Sequence, residues 1–332
     1  MGIYRYTFNR LLQAIPVMLG VVTITFVMAN AIPGDPVQIM LGPSPSQTEI
    51  EAIRSRYGLN KPLWVRYINY VAGVLTGDFG RSIFYGEPVT TKIAQRMGPT
   101  MLLMTSSYAF AILTAIPLGV ISAKRRNKPT DHASRFVSLI GVSTPSFWIG
   151  LMFILVFSFH FQVLPSTNLI MPWADPVEVR NAATRVDVLV LSARHLVMPM
   201  ISLGTLQMAA LTRIERSSML EVLSEDYVQL ARAYGVKESA ILRKHAFRNA
   251  QLPIITILGL QLTGLIGGAV LIETVFQING MGKLIVNSIF RQDYPLIMGT
   301  TIMFGAVFVI GVILTDLSYA YIDPRVTYDE VD

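Results

Sequence analysis

Residues 225–253 read EDYVQLARAYGVKESAILRKHAFRNAQLP, and the overlapping residues 249–272 read NAQLPIITILGLQLTGLIGGAVLI. The first stretch is dense in charge and the second has none. A helix crossing hydrocarbon needs roughly 20 apolar residues. The change of character near Asn249 therefore predicts a chain entering a membrane from a polar segment. Working outward, charge-free runs recur at 11–34, 97–123, 195–212 and 294–315. A further run starts at Phe136 and, apart from His160, stays uncharged until Asp175. The count is six spans in an all-α polytopic membrane protein.

Composition agrees. Of 332 residues, 52% are hydrophobic and 14% charged, against about 25% charged in soluble domains. Cysteine is absent, which excludes disulfides and thiolate metal sites. The formal charge of +6 reads as a topology signal, with no nucleic-acid partner expected. Signal-peptide cores run to about 7–15 residues. Residues 11–28 are longer, so the first run is expected to be an uncleaved anchor.

Lys and Arg in short loops set orientation. Segment 124–135 has five, and 213–248 has seven. Segments 165–194 and 273–293 have three and two. The polar stretch and both termini are expected in the cytoplasm, and 35–96 outside. That outer segment is too long for a bare connector. SQTEIEAIRSRYG, with Ser46 or Thr48 as N-cap and Gly58 as stop, reads as one helix, and LWVRYINYVAGVL as a second. A helical cap between the first two spans follows, dividing the chain into 1–96 and a five-helix core at 97–332.

Within the polar stretch, Leu220, Leu223, Tyr227, Leu230 and Tyr234 are spaced 3, 4, 3, 4. That spacing makes one apolar helical stripe, stopped by Gly235 as C-cap. A second short helix is expected over 237–249. Two readings of this pair stay open: a hairpin on anionic lipid, or a knob docking into a partner's groove.

Some absences narrow the function. No G-x-x-x-x-G-K-[ST] occurs, so no phosphate-binding loop of that kind is encoded. No span carries Asp, Glu, Lys or Arg near its middle, which argues against an ion-coupled carrier. Glu273 and Asp316, at span ends, are expected to be interfacial anchors. His132, His160, His195 and His245 stand apart, so no metal site is expected. Gly264, Gly267 and Gly268 fall on nearly one helix face and mark a close helix interface. Gly299, Gly305 and Gly311 repeat the idea in the sixth span, and Pro117 should kink the second.

EDYVQLARAYG followed by HAFRNAQLP resembles the cytoplasmic coupling loop of bacterial ABC-importer permeases, within them the dipeptide/oligopeptide/nickel branch. IPGDP at 32–36, YGLNKPLWVRYINYVAGVLTGDFGRS at 57–82, IETVFQINGMGKL at 272–284, RQDYP at 291–295 and DPR at 323–325 agree in order. The general pattern has Glu-Ala-Ala before the glycine and a proline about thirteen residues after it. Here Gln229-Leu230-Ala231 and Arg248 stand there, and the peptide branch is similar in lacking the strict form. The resemblance implies a MetI-like permease fold in the bacterial inner membrane. It also implies a second homologous permease, two ATP-binding cassette subunits and an extracytoplasmic solute-binding protein. ATP and Mg would belong to those partner subunits, with no cofactor in this chain. The substrate would be a dipeptide or oligopeptide, with nickel and glutathione as alternatives.

By this resemblance the ATPases would dock on coupling helices at about 219–249, through Glu225, Asp226, Tyr227, Leu230, Ala231, Arg232, Ala233, Gly235, His245, Arg248 and Asn249. The binding protein would land near Asp35, Gly77, Asp78, Gly80 and Arg81.

Overall fold

A computed structural model describes residues 3–31, 37, 41, 46–56 and 58–322. Asp35 lies outside them. Among the described residues the ordered elements are helices, joined by turns and one isolated bridge between Arg81 and Pro88. The elements are α1 (Ile3–Ala31), α2 (Gln47–Arg56), α3 (Leu63–Thr76), α4 (Val89–Lys124), α5 (Pro129–Ser143) and α6 (Ser146–Phe153). They continue with α7 (Arg185–Ser224), α8 (Asp226–Ala233), α9 (Phe247–Val275), α10 (Met281–Phe290) and α11 (Tyr294–Ile322). Four helices are long and apolar enough to cross a membrane, and six spans result if each of two bent pairs counts as one.

The chain forms two compact units. The larger comprises Met1–Thr7, Pro99–Ile278 and Ile310–Asp332. Its spine is α7, which packs against α5, α6 and α9. Small residues let the backbones close up, as membrane helices require. A Cβ on Gly141 would lie 2.8 Å from that of Ala209, and one on Gly204 would meet the Ser107 carbonyl at 2.7 Å. Ala111, Ala115, Met208, Leu211 and Ile254 form a buried cluster between α4, α7 and α9.

The smaller unit comprises Phe8–Gly98 and Asn279–Val309. The two helices read in 35–96 are present. Ser46 and Glu49 form reciprocal bonds at the start of α2, a capping box. Gly77 ends α3 in the left-handed conformation at φ 80°. Tyr67 binds the Thr23 hydroxyl at 2.7 Å and sets its ring against Phe26, tying α3 to α1. Gly299 accommodates Val89, and Gly305 accommodates Val21.

Several expectations change. The third span is two helices, α5 and α6, meeting at 103°. Pro145 forces the preceding residue out of the helical region, and Thr144 sits at φ −101°, ψ 125°. Beyond α6 the turns widen over Ile154–His160. The fourth span is not the short run 195–212 but the 40-residue α7. Thr184 and Asp187 cap it, and polar residues extend it past both ends of the apolar run. Segment 273–293, read as a loop, contains α10. The expected separate helix over 237–249 is instead a lead-in to α9: Glu238–Ala240 passes through wide turns at Ile241–Ala246 straight into the span.

Glu273 is not an interfacial anchor. It is fully buried and accepts a hydrogen bond from Thr100 of α4 at 2.5 Å. The helix bundle supplies the polar partner that a headgroup would have given.

Candidate functional site

The polar stretch folds as a braced tip between α7 and α9. The expected stripe does not lie on one helix. Glu225 adopts an extended conformation at φ −65°, ψ 146°, ending α7 and starting α8. Leu220 and Leu223 therefore pack inward, against a cluster of Ala123, Met219, Leu242, Ala246 and Ala250. Val228, off the stripe, is the buried anchor of α8. Tyr227, Leu230 and Tyr234 are left exposed, Leu230 by 57% and Tyr234 by 81%.

Gly235 is the helix stop that its position predicts. At φ 73°, its N–H binds the Arg232 carbonyl at 2.9 Å, and the Val236 N–H binds that of Ala231 at 3.1 Å. These are the two bonds of a Schellman motif. Side chains then tie the tip together. Arg232 donates to both Glu238 carboxylate oxygens, at 3.3 and 3.0 Å, and to the Leu223 carbonyl. Its guanidinium holds the Glu238 carboxyl below the usual range, chiefly through these hydrogen bonds. The Tyr227 hydroxyl donates to the His245 carbonyl at 3.2 Å and accepts from Asn249 at 2.8 Å. Gln229 donates to the Ser224 carbonyl.

The eleven residues expected to dock a partner fall on α8, the turns flanking it and the first turn of α9, which together make up the tip. Glu225, Asp226, Ala233 and Arg248 are exposed on it, and Ala231 is half-buried. His245 contributes its carbonyl while its side chain stays exposed.

Beneath the tip lie polar residues that sequence reasoning missed. Asp131 is fully buried and accepts from Arg216 Nε and Nη2 at 2.6 and 2.9 Å, from Ser122 and from the Asn127 N–H. This locks the turn after α4 onto α7. Glu215 is also buried, takes both oxygens to the Gln251 amide at 3.0 Å, and packs on Gly119. Ser218 donates to the Ala250 carbonyl at 2.8 Å. Arg216 was counted as loop charge, and Asp131 and Glu215 fell in stretches read as loop that are in fact helix.

In the smaller unit, Gly77, Asp78, Gly80 and Arg81 share one exposed turn. Gly77 and Gly80 have φ 80° and 81°, and Asp78 accepts from the Gly80 N–H at 2.9 Å. Asp293 anchors the chain just beyond. It is buried and accepts from the Ser82 hydroxyl and from the N–H groups of Ile83 and Phe84 at 3.1 Å. The Arg291 guanidinium lies 3.7 Å over the Phe84 ring. An Asp just before the charge-free run at 294 is an N-cap signal, so Asp293 was findable.

The three glycines on α9 separate. A Cβ on Gly268 would press on Leu203 at 2.7 Å, one on Gly264 would lie 3.9 Å from the Gln207 amide nitrogen, and one on Gly267 would meet nothing within 4 Å. Among the described residues, no group of three His, Asp or Glu side chains is placed to hold a metal.

Known proteins match almost end to end. Residues 115–328 match the family described as binding-protein-dependent transport system inner membrane component, and residues 3–105 its N-terminal companion. The oligopeptide transport system permease protein AppB of Bacillus subtilis is 41% identical over 97% of this chain and 99% of its own. The dipeptide transport system permease proteins DppB of Alkalihalophilus pseudofirmus and Escherichia coli are 37% and 34% identical, over 97% and 98% of this chain and 99% of each relative. With its bent and straight apolar helices and its braced polar tip, this chain belongs to the family of inner-membrane components of binding-protein-dependent transport systems.

Proposed function

We propose that this chain is one of two homologous permease subunits of an ATP-driven peptide importer. It forms half of a pathway for dipeptides or oligopeptides handed over by a solute-binding protein. The names of its relatives support the substrate class. ATP and Mg bind partner subunits, and this chain is not itself an enzyme. Both termini and the α8 tip face the cytoplasm, and the Gly77–Arg81 turn faces the binding protein.

The observation that carries this reading is the pair Leu230 and Tyr234, exposed on a short helix held by the Arg232–Glu238 and Tyr227–Asn249 contacts. Apolar side chains on a rigid tip suit a groove in a partner. Because α8 is joined through Glu225 to α7 and through Ile241–Ala246 to α9, a push on the tip reaches two spans. Alternating access follows from tilting them.

Ala233 is exposed, so Ala233→Arg tests docking without disturbing the fold. Assembly in the membrane should persist, while solute import and binding-protein stimulation of ATP hydrolysis should be lost. Normal import by this variant would return the tip to the lipid-surface reading.

A further inference from the structure

A cavity of about 250 Å³ opens between α5 and α7, lined in part by Ser134, Arg135, Leu139, Arg213 and Arg216. Three guanidinium groups meet one carboxylate here, leaving a formal excess of +2. Asp131 engages Arg216 at 2.6 Å and lies 3.8 Å from Arg135. Arg213 is exposed, and no hydrogen bond or ion pair engages it among the described residues. Ser134 Oγ is buried and has no hydrogen-bond partner among them. A cationic hollow with an unused hydroxyl is chemically complete only with an anion. Arginine forks match phosphate oxygens in geometry as well as charge.

The cavity does not end in water on every side. Leu139 lines it and is exposed, and Phe136 and Ile140 extend the same uncovered face of α5, since residues three and four apart are neighbours on a helix. A soluble anion has no use for that face, whereas a phospholipid has a phosphate for the arginines and acyl chains for the apolar ridge. The volume is below the ~300–1,000 Å³ of pockets that enclose a whole ligand, which fits a headgroup whose chains stay outside. Basic pockets between membrane helices are known homes for anionic headgroups.

We propose that the α5–α7 cavity is a binding site for the phosphate of an anionic phospholipid, held by Arg135, Arg213 and Arg216 with Ser134 as a further donor. None of these four residues belongs to the α8 tip.

The test uses the purified transporter complex equilibrated with phosphatidylcholine vesicles, with and without phosphatidylglycerol. Retained lipid is read by native mass spectrometry. Phosphatidylglycerol should be retained in preference to phosphatidylcholine. Arg135→Gln with Arg213→Gln should lower its affinity roughly thirtyfold, the equivalent of ~2 kcal/mol. Arg213→Gln alone, at a side chain with no bond among the described residues, should lower it about fivefold and serves if the double variant fails to assemble. Lys at both positions should restore much of the loss. Equal retention of the two lipids, or retention unchanged in these variants, would overturn the proposal. Displacement by millimolar inorganic phosphate would make this a free-phosphate site, and loss of a protein subunit from the variant with its lipid unchanged would make it a protein interface. Either result rejects the lipid.

Discussion

Asn249 donates to the hydroxyl of Tyr227 at 2.8 Å, joining the first turn of α9 to the helix that carries the exposed tip. The same hydroxyl reaches the His245 carbonyl. Tyr227→Phe removes both bonds and keeps the ring. The loss should be about 1 kcal/mol locally, since exposed hydrogen bonds are modest in net worth. We expect assembly to be retained and solute moved per ATP hydrolysed to fall. Asn249→Ala should do the same, and the double variant should be little worse than either, because both cut one link.

The Arg232–Glu238 pair gives the tip a pH dependence with a definite sign. Arg232 lowers the Glu238 pKa from its ordinary 4.5. A carboxyl whose folded pKa is depressed adds stability above its unfolded value, and that stability is lost as pH falls through the folded value. Fastening should hold at neutral pH and weaken below about 4.5. Both side chains are substantially exposed, so the effect is screened to ~0.5 kcal/mol or less. Hydrogen exchange across 226–240 should quicken in acid and in high salt, and Glu238→Gln should flatten both responses.

Asp131 stands at the other extreme of burial. Asp131→Ala leaves Arg216, a mostly buried cation, without its counter-charge. Breaking such a pair costs roughly 3–5 kcal/mol, and the partial exposure of Arg216 favours the lower end. Thermal unfolding in detergent should shift down clearly. Asp131→Asn with Arg216→Gln should be less damaging than Asp131→Ala, since no buried charge is then stranded.

Asp293 holds the turn that follows Arg81. Asp293→Ala frees the Ser82 hydroxyl and two backbone N–H groups in a buried place. Each such group costs about 1–3 kcal/mol when left unpaired. Limited proteolysis should open the 77–88 segment first, and stimulation by the binding protein should drop before the membrane helices lose stability.

At Gly235 the expected effect is on the backbone. A Cβ there meets no atom within 4 Å, so crowding is not the issue. The cost comes from φ 73°, which asparagine tolerates and β-branched residues do not. Gly235→Asn should support import, while Gly235→Val should disorder the tip, as read by hydrogen exchange over 226–240.

Much of this was legible in the chain, for reasons that differ by residue. Charge-free runs find spans because hydrocarbon rejects charge, and Gly235 announced a helix end because few residues accept its conformation. Ser46 was readable in the same local way. The break at Glu225 was not. Periodicity over 220–234 continues through it, and only packing of Leu220 and Leu223 into the α4–α9 cluster turns α8 onto another face. Glu215, Glu273 and Asp131 were misplaced because a lone acid looks alike whether it meets water or a buried donor. Their partners Gln251, Thr100 and Arg216 lie 36, 173 and 85 residues away.

The wide turns at Ile241–Ala246 have a consequence for insertions and deletions. In such turns each bond spans one residue more than in an α-helix, so the segment carries a surplus residue relative to regular pitch. Removing one would restore that pitch and swing everything before it by roughly 100° about the axis of α9. Arg232, Tyr234 and Glu238 would then point elsewhere, with every side chain still present. A stretch that reads as a polar surface connector, the usual place for length variation, is here a fixed-length spacer. Among descendants of this sequence, substitutions should accumulate there while its length stays constant.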